Sequence, residues 1–239
     1  IFLRNHDELT LEMVTEEERA YMYQKYCPDP LMRSNVGIRR RLWPLMDGDR
    51  RQVELLHGLL LSMPGSPVLY YGDEIGMGDN YHLPDRYGCR TPMQWNDNRN
   101  AGFSTALPSH LYLPVNEDPA YHYQTVNVEV ARRTRSSFYH WLKNVLAKRK
   151  QHKVFGRGDF AFLSPENQAI FAYVRRYQNE TLLVVANLSG RAQPVSLDLS
   201  ALKGRTPVEI LGGERFATIG DQPYQLTMSP YGFYWFELV

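Results

Sequence analysis

Hydrophobic positions along the chain change period several times. Ile1 to Asn5 is an apolar run that breaks into Asn-His-Asp, and Ser66 to Tyr71 is a second short, β-rich run leading into Gly72-Asp73-Glu74. Short apolar runs bounded by turn residues are how buried parallel strands read. Between them the period becomes helical. Thr15-Glu16-Glu17-Glu18 has capping-box spacing, in which the Thr hydroxyl and the Glu carboxylate each satisfy a free amide. It predicts a helix over 16–26, stopped at Cys27-Pro28-Asp29-Pro30. Asp49 is placed to cap a second helix whose apolar positions Val53, Leu56, Leu59 and Leu60 recur at helical spacing, up to Pro64-Gly65. Strand, helical excursion and strand make the alternation of a parallel α/β sheet.

Residues 72–130 then lose periodicity and are rich in Gly, Pro, Asn, Asp and Tyr. A loop of this length in a compact domain is usually functional. The helical period returns over 132–150, with Phe138, Trp141, Leu142, Val145 and Leu146 on one face. After Gly156-Arg157-Gly158 the chain turns to short β-prone runs at 169–177, 181–188, 195–199, 208–211, 224–228 and 233–238. This predicts two domains: 1–152, part of an α/β fold, and 153–239, an antiparallel β-sandwich.

Composition narrows the function classes. With 27 basic and 26 acidic residues the net charge is +1, so no nucleic-acid partner is implied. Arg39-Arg40-Arg41 reads as a solvated helix face. No run approaches the ~20 apolar residues of a membrane span. Cys27 and Cys89 have no metal-ligand spacing and read as reduced thiols in a cytoplasmic protein. Sixteen Tyr, ten Phe and four Trp supply amphipathic rings suited to the C–H faces of sugars, and equally to core filling.

Several groups carry candidate chemistry. Asn5-His6-Asp7 ends the first run, where a carboxylate beside an imidazole can grip vicinal hydroxyls or merely cap a strand end. Asp73-Glu74 offers paired carboxylates, better read as a cap on the following turn. His82, Asp85 and Arg86 lie in the long loop and could touch a ligand, but alone they mean little. Arg90-Thr91-Pro92-Met93-Gln94-Trp95 combines a permanently charged guanidinium, a stiff backbone and an indole platform; it serves equally as a loop anchor.

Taken together, these strings resemble a known family. Phe2 to Glu8 resembles the fourth signature region of the α-amylase superfamily of glycoside hydrolases and transglycosidases. Pro67 to Met77 resembles its eighth barrel strand and following loop. Arg90 to Trp95, with Arg99-Asn100-Ala101-Gly102-Phe103-Ser104, is similar to its α-glucosidase-like and trehalose-forming branches. Asn5 through Thr15, Gly37 to Leu42, Leu111 to Pro114, Val126 to Glu129 and Pro230 to Phe236 narrow the resemblance to the maltose-converting, trehalose-forming branch.

The resemblance implies the last two β/α units of a (β/α)8 TIM barrel followed by the β-domain, and a retaining two-carboxylate scheme. Asp7 matches the family's third carboxylate, the transition-state stabiliser. His6, Asn5 and Arg90 match sugar-binding neighbours. It implies maltose, trehalose and glucose as ligands, and the 72–130 loop, with Tyr81, Tyr87 and Trp95, is expected to form part of a lid that excludes water. It implies no cofactor in this chain, although family members often carry Ca²⁺ on ligands that lie elsewhere. The nucleophile and acid/base have no counterpart here. The chain is therefore expected to be inactive alone, and to need either the missing N-terminal barrel portion or self-association. An α-glucosidase-type hydrolase and a non-catalytic carbohydrate-binding or scaffold subunit are the alternatives.

Overall fold

The computed structural model describes residues 1–239. Its helices are α1 (Glu16–Tyr26), α2 (Leu42–Leu45), α3 (Arg50–Ser62), α4 (Val128–Arg133), α5 (Phe138–Gln151) and α6 (Val154–Arg157). The chain forms two compact units, one of residues 2–53 and 68–142, the other of residue 1, 54–67 and 143–239.

In the first unit, β1 (Leu9–Thr10), β2 (Arg33–Ser34) and β3 (Gly37–Ile38) form a small antiparallel sheet in the order β1-β3-β2. Gly37 permits the close pairing, because a Cβ there would lie 2.6 Å from the Leu9 carbonyl oxygen. Leu11, Cys27, Ile38 and Leu45 form the core beneath, covered by Met22, Tyr23 and Tyr26 of α1. The α1 helix has no fully buried residue. Its start is set locally: Thr15 Oγ1 accepts the Glu18 N–H at 3.2 Å, and Glu18 Oε2 accepts the Thr15 N–H at 2.8 Å. This is the capping box that the sequence predicts, with the predicted helix bounds.

The long segment after residue 72 contains only short 3₁₀ turns before α4, yet it is tied down by side chains bonding to backbone. The Tyr70 hydroxyl donates to Cys89 O (2.9 Å) and that of Tyr71 to Thr91 O (2.6 Å). Fully buried Gln94 donates through Nε2 to Tyr121 O (3.1 Å) and also to Val126 O. Such bonds replace the ladder that an irregular segment lacks.

Three expectations are corrected. Segments 1–5 and 66–71 form no strand ladder; the Ile1 ammonium donates to Ser66 O at 2.8 Å, and Ile1, Phe2, Val68 and Leu69 remain exposed. The two β/α units are thus not displayed as such: an apolar run is a strand only when neighbouring strands take its backbone bonds. The helix expected from 132 begins at Phe138, and α4 precedes it as a separate turn capped by Asn127, whose Oδ1 accepts the Val130 N–H at 2.8 Å. Arg39 to Arg41 is not a solvated face. Arg39 and Arg41 are buried, and Arg40 pairs with buried Asp79 at 3.0 Å.

The second unit contains β4 (Ala161–Leu163), β5 (Ile170–Tyr177), β6 (Glu180–Asn187), β7 (Gln193–Leu197), β8 (Pro207–Glu209), β9 (Tyr224–Met228) and β10 (Phe233–Leu238). A five-stranded antiparallel sheet of order β4-β5-β6-β10-β8 faces the pair β7-β9. Ala172, Val174, Leu183, Val185 and Phe236 meet Val195, Leu197, Tyr224 and Met228 in one core. The period of two sends Tyr173 and Arg175 of β5 to the other face. There Tyr173 shares a 2.6 Å hydrogen bond with Ser62 Oγ of α3. Gly58 of α3 allows close packing on that side, since a Cβ would fall 2.7 Å from the Phe233 ring.

Candidate active site

The Asn5–Glu8 turn is built from its own side chains. Asn5 Oδ1 accepts the Asp7 N–H and Asp7 Oδ1 accepts the Glu8 N–H, each at 2.9 Å. Buried Arg4 lies beneath, donating to the carbonyls of Asp7 (2.9 Å), Ile38 (3.1 Å) and Arg40 (2.8 Å). The turn backbone is therefore clamped, and the His6 side chain is exposed. The Asp7 side chain remains 41% exposed, enough to receive a ligand.

Arg86 closes the cluster. Its Nε lies 2.5 Å from Asp7 Oδ1 and 3.1 Å from Glu8 Oε2, and its Nη1 lies 2.7 Å from Asp85 Oδ1. Hydrogen bonding with Glu8, then the charge of Arg86, holds the Asp7 carboxyl below the usual carboxylate range. Arg90 ends a 3₁₀ turn, Tyr87–Arg90, and its Nε donates to the His6 carbonyl at 2.9 Å. The fixed bond is to the backbone, so the exposed His6 imidazole is left to solvent or ligand. The structure thus brings Asn5, His6, Asp7 and Arg90 together. It adds Arg86, which the sequence offers only as a loop residue that could touch a ligand; its partners Asp7 and Glu8 lie nearly eighty positions earlier.

Asp73 and Glu74 serve differently. They sit in a 3₁₀ turn between Gly72 and Gly76, whose φ values of 87° and 82° need glycine. The Asp73 carbonyl accepts Trp43 Nε1–H at 2.8 Å, and Arg41 packs over the Tyr70 and Tyr71 rings at 4.6 and 4.5 Å. Burial pushes the Asp73 carboxyl up to about 7 and raises Glu74 as well. A carboxyl raised on folding stabilises the protein fully below its unfolded value, near 3.8, and that contribution is lost as pH rises through about 7. The difference corresponds to about 4 kcal/mol. Asp73→Asn is therefore expected to raise the melting temperature at pH 8 and to give no gain at pH 4. Equal shifts at both pH values in thermal unfolding would refute this.

No group of three or more His, Cys, Asp or Glu is placed to hold a metal. Cys27 and Cys89 are buried and unpaired in disulfides, and burial raises both thiols, Cys89 to about 11. No helix is long and apolar enough to cross a membrane.

Residues 39–158, half of the chain, match the family model "Alpha amylase, catalytic domain", and residues 160–235 match "Maltogenic Amylase, C-terminal domain". The whole chain is 57% identical to the trehalose synthase/amylase TreS of Mycobacterium tuberculosis and 55% identical to the trehalose synthase of Pimelobacter sp.. It spans 40% and 42% of those relatives' lengths. Among solved structures, a Bacillus licheniformis trehalose-6-phosphate hydrolase aligns with all of the chain and 43% of its own length at a TM-score of 0.66 and 21% identity, a likeness of fold.

Proposed function

The chain belongs to the α-amylase family, and from that premise we propose that it forms part of an enzyme interconverting maltose and trehalose by intramolecular glucosyl transfer. The observation that supports this best is the half-exposed Asp7 carboxylate, seated on a clamped turn beside Arg86 and Arg90, in a chain so similar to trehalose synthases.

In this reading Asp7 accepts hydrogen bonds from the 2- and 3-hydroxyls of the reacting glucosyl ring. Those bonds strengthen as positive charge develops at the anomeric carbon. One carboxylate attacks that carbon while a carboxylic acid protonates the departing O4, so the C1–O4 bond breaks and a C1–carboxylate bond forms. The released glucose turns, and its anomeric hydroxyl attacks the same carbon. Its proton goes to the second carboxylate, and the covalent ester bond breaks. No water is consumed, so the site must exclude it. The long loop with Tyr81 and Tyr87 is suited to that task, whereas Trp95, expected to join them, lines a separate groove.

Asp7, Glu8 and Asp85 are all drawn onto Arg86, leaving none free as nucleophile or acid/base. The reading assigns those two roles to residues outside these 239 and has this chain inactive alone. It also makes the exposed apolar stretches near Phe2 and Val68 the docking surface for the remainder of a barrel. The test is product identity. A polypeptide of the relatives' full length carrying this chain should convert maltose mainly to trehalose, followed by NMR. Glucose as the main product would move the enzyme to the α-glucosidases, and a folded protein that leaves maltose untouched would favour a scaffold.

A further inference from the structure

The first unit carries an open groove of about 560 Å³ that shares no lining residue with the Asp7 cluster; it lies between Trp95 and Asn96 on one side and Val128, Glu129, Arg132 and Arg133 on the other. Thr91 to Gln94 are all buried, and the next residue, Trp95, is 49% exposed. The loop anchors itself with four side chains and then presents a fifth that does no packing of that kind. Leaving an indole half in water forgoes hydrophobic stabilisation, which makes it informative.

The two walls are fixed to each other. The Val128 N–H donates to Gln94 O at 3.0 Å, and the Glu129 N–H donates to Trp95 O at 3.1 Å. The Trp95 N–H itself donates to Ala101 O at 2.9 Å. The indole and the first turn of α4 are thus held in one arrangement, and a ligand would not have to order them on binding. Glu129 and Arg133 form an ion pair one helical turn apart, and Arg132 is exposed beside them.

The chemistry of the walls selects the ligand. An indole face suits the C–H face of a pyranose. A carboxylate, an amide and guanidinium groups suit vicinal hydroxyls, which both donate and accept. Glu129 pairs with Arg133, which leaves Arg132 as the one cation of the wall without a carboxylate, a single point charge rather than the cluster of donors that a phosphate site uses. The volume falls within the roughly 300–1,000 Å³ typical of small-molecule sites. We infer that this groove is a second carbohydrate site, distinct from the Asp7 cluster, taking a neutral oligosaccharide. The choice of glucose units rests on the function proposed above; the site itself does not.

The experiment uses the full 239-residue chain and maltotriose as probe. Maltotriose is expected to blue-shift indole emission and shield it from acrylamide, with a Kd on the order of millimolar. Trp95→Ala should weaken binding at least about tenfold, as expected for an aromatic anchor. Trp95→Phe should retain part of it, and Glu129→Gln should lose affinity without loss of the helical circular dichroism. Asp7→Asn should leave binding unchanged. Failure of maltotriose to bind, or unaltered binding by Trp95→Ala, would overturn the site. Loss of binding in Asp7→Asn would place the sugar at the carboxylate cluster instead. Tighter binding of glucose 6-phosphate than of maltotriose would overturn the neutral ligand. Trehalose synthesis by a longer polypeptide could fail while these results stand, so the two readings fall separately.

Discussion

Replacing Arg175 by Met is expected to destabilise the second unit by about 4 kcal/mol, enough to unfold much of it at moderate temperature. Arg175 is buried, and its guanidinium spends its donors on carbonyls: Ser62 O at 3.0 Å, Phe155 O at 2.5 Å, Gly158 O at 2.8 Å and Asp159 O at 3.2 Å. One side chain thereby closes the end of α3, both ends of α6 and the strand β5. Exchanging a buried ion pair for apolar residues is often harmless because both charges leave together. Here the partners are backbone oxygens that stay, and each buried carbonyl left unpaired costs about 1–3 kcal/mol. Relaxation and water entry recover part of that sum. Chemical denaturation followed by circular dichroism measures the loss. A variant within 1 kcal/mol of the parent would show that the cost of burying the guanidinium cancels its bonds. Arg175→Lys should recover little, because a single ammonium cannot span carbonyls on three elements.

The second large effect concerns chemistry. In a polypeptide of the relatives' full length, Asp7→Asn is expected to lower kcat at least about 100-fold, roughly 2.7 kcal/mol, as found when a transition-state hydrogen-bonding group is removed. An amide cannot carry the negative charge that balances a developing oxocarbenium ion. The loss should fall on kcat and kcat/KM alike, the mark of an interaction made in the transition state. Melting temperature separates this from misfolding, since the Asp7 side chain is exposed and the turn is also held through its backbone by Arg4. Turnover within about tenfold of the parent would remove Asp7 from the mechanism.

Legibility followed the range of the interactions. The bounds of α1 were readable because Thr15 and Glu18 are three residues apart and cap one another. The strands β5, β6, β9 and β10 were readable because a β-prone run bounded by turn residues is a local signal, whereas three-residue β4 is too short to carry one and was missed. The runs at 1–5 and 66–71 have strand composition, but composition does not supply partners. Arg39 to Arg41 was misread for the same reason: charge along the chain does not reveal which carbonyls surround it. Arg39 bonds Leu31 O at 2.7 Å and Leu83 O at 2.7 Å, one of them more than forty positions away. The candidate site was legible as a family string at Asn5 to Glu8 and at Arg90. Arg86 was legible as a loop residue that could meet a ligand, but its pairing with Asp7 and Glu8 was legible only in three dimensions.

Asn100 and Ala101 are consecutive non-glycine residues in the left-handed region, both at φ 56°. Each such residue costs of order 1 kcal/mol or more. The offset comes from bonds that need a closed loop: Ala101 O accepts the N–H groups of Trp95 (2.9 Å) and Asn96 (3.2 Å), and Asn100 Nδ2 reaches Ser104 O and Ala106 O. These bonds form only when the loop from Trp95 to Ala106 is closed, so the bend is stable only in the closed loop. The indole wall of the groove thus depends on a strained bend six residues further on, and any change that opens that loop opens the wall with it.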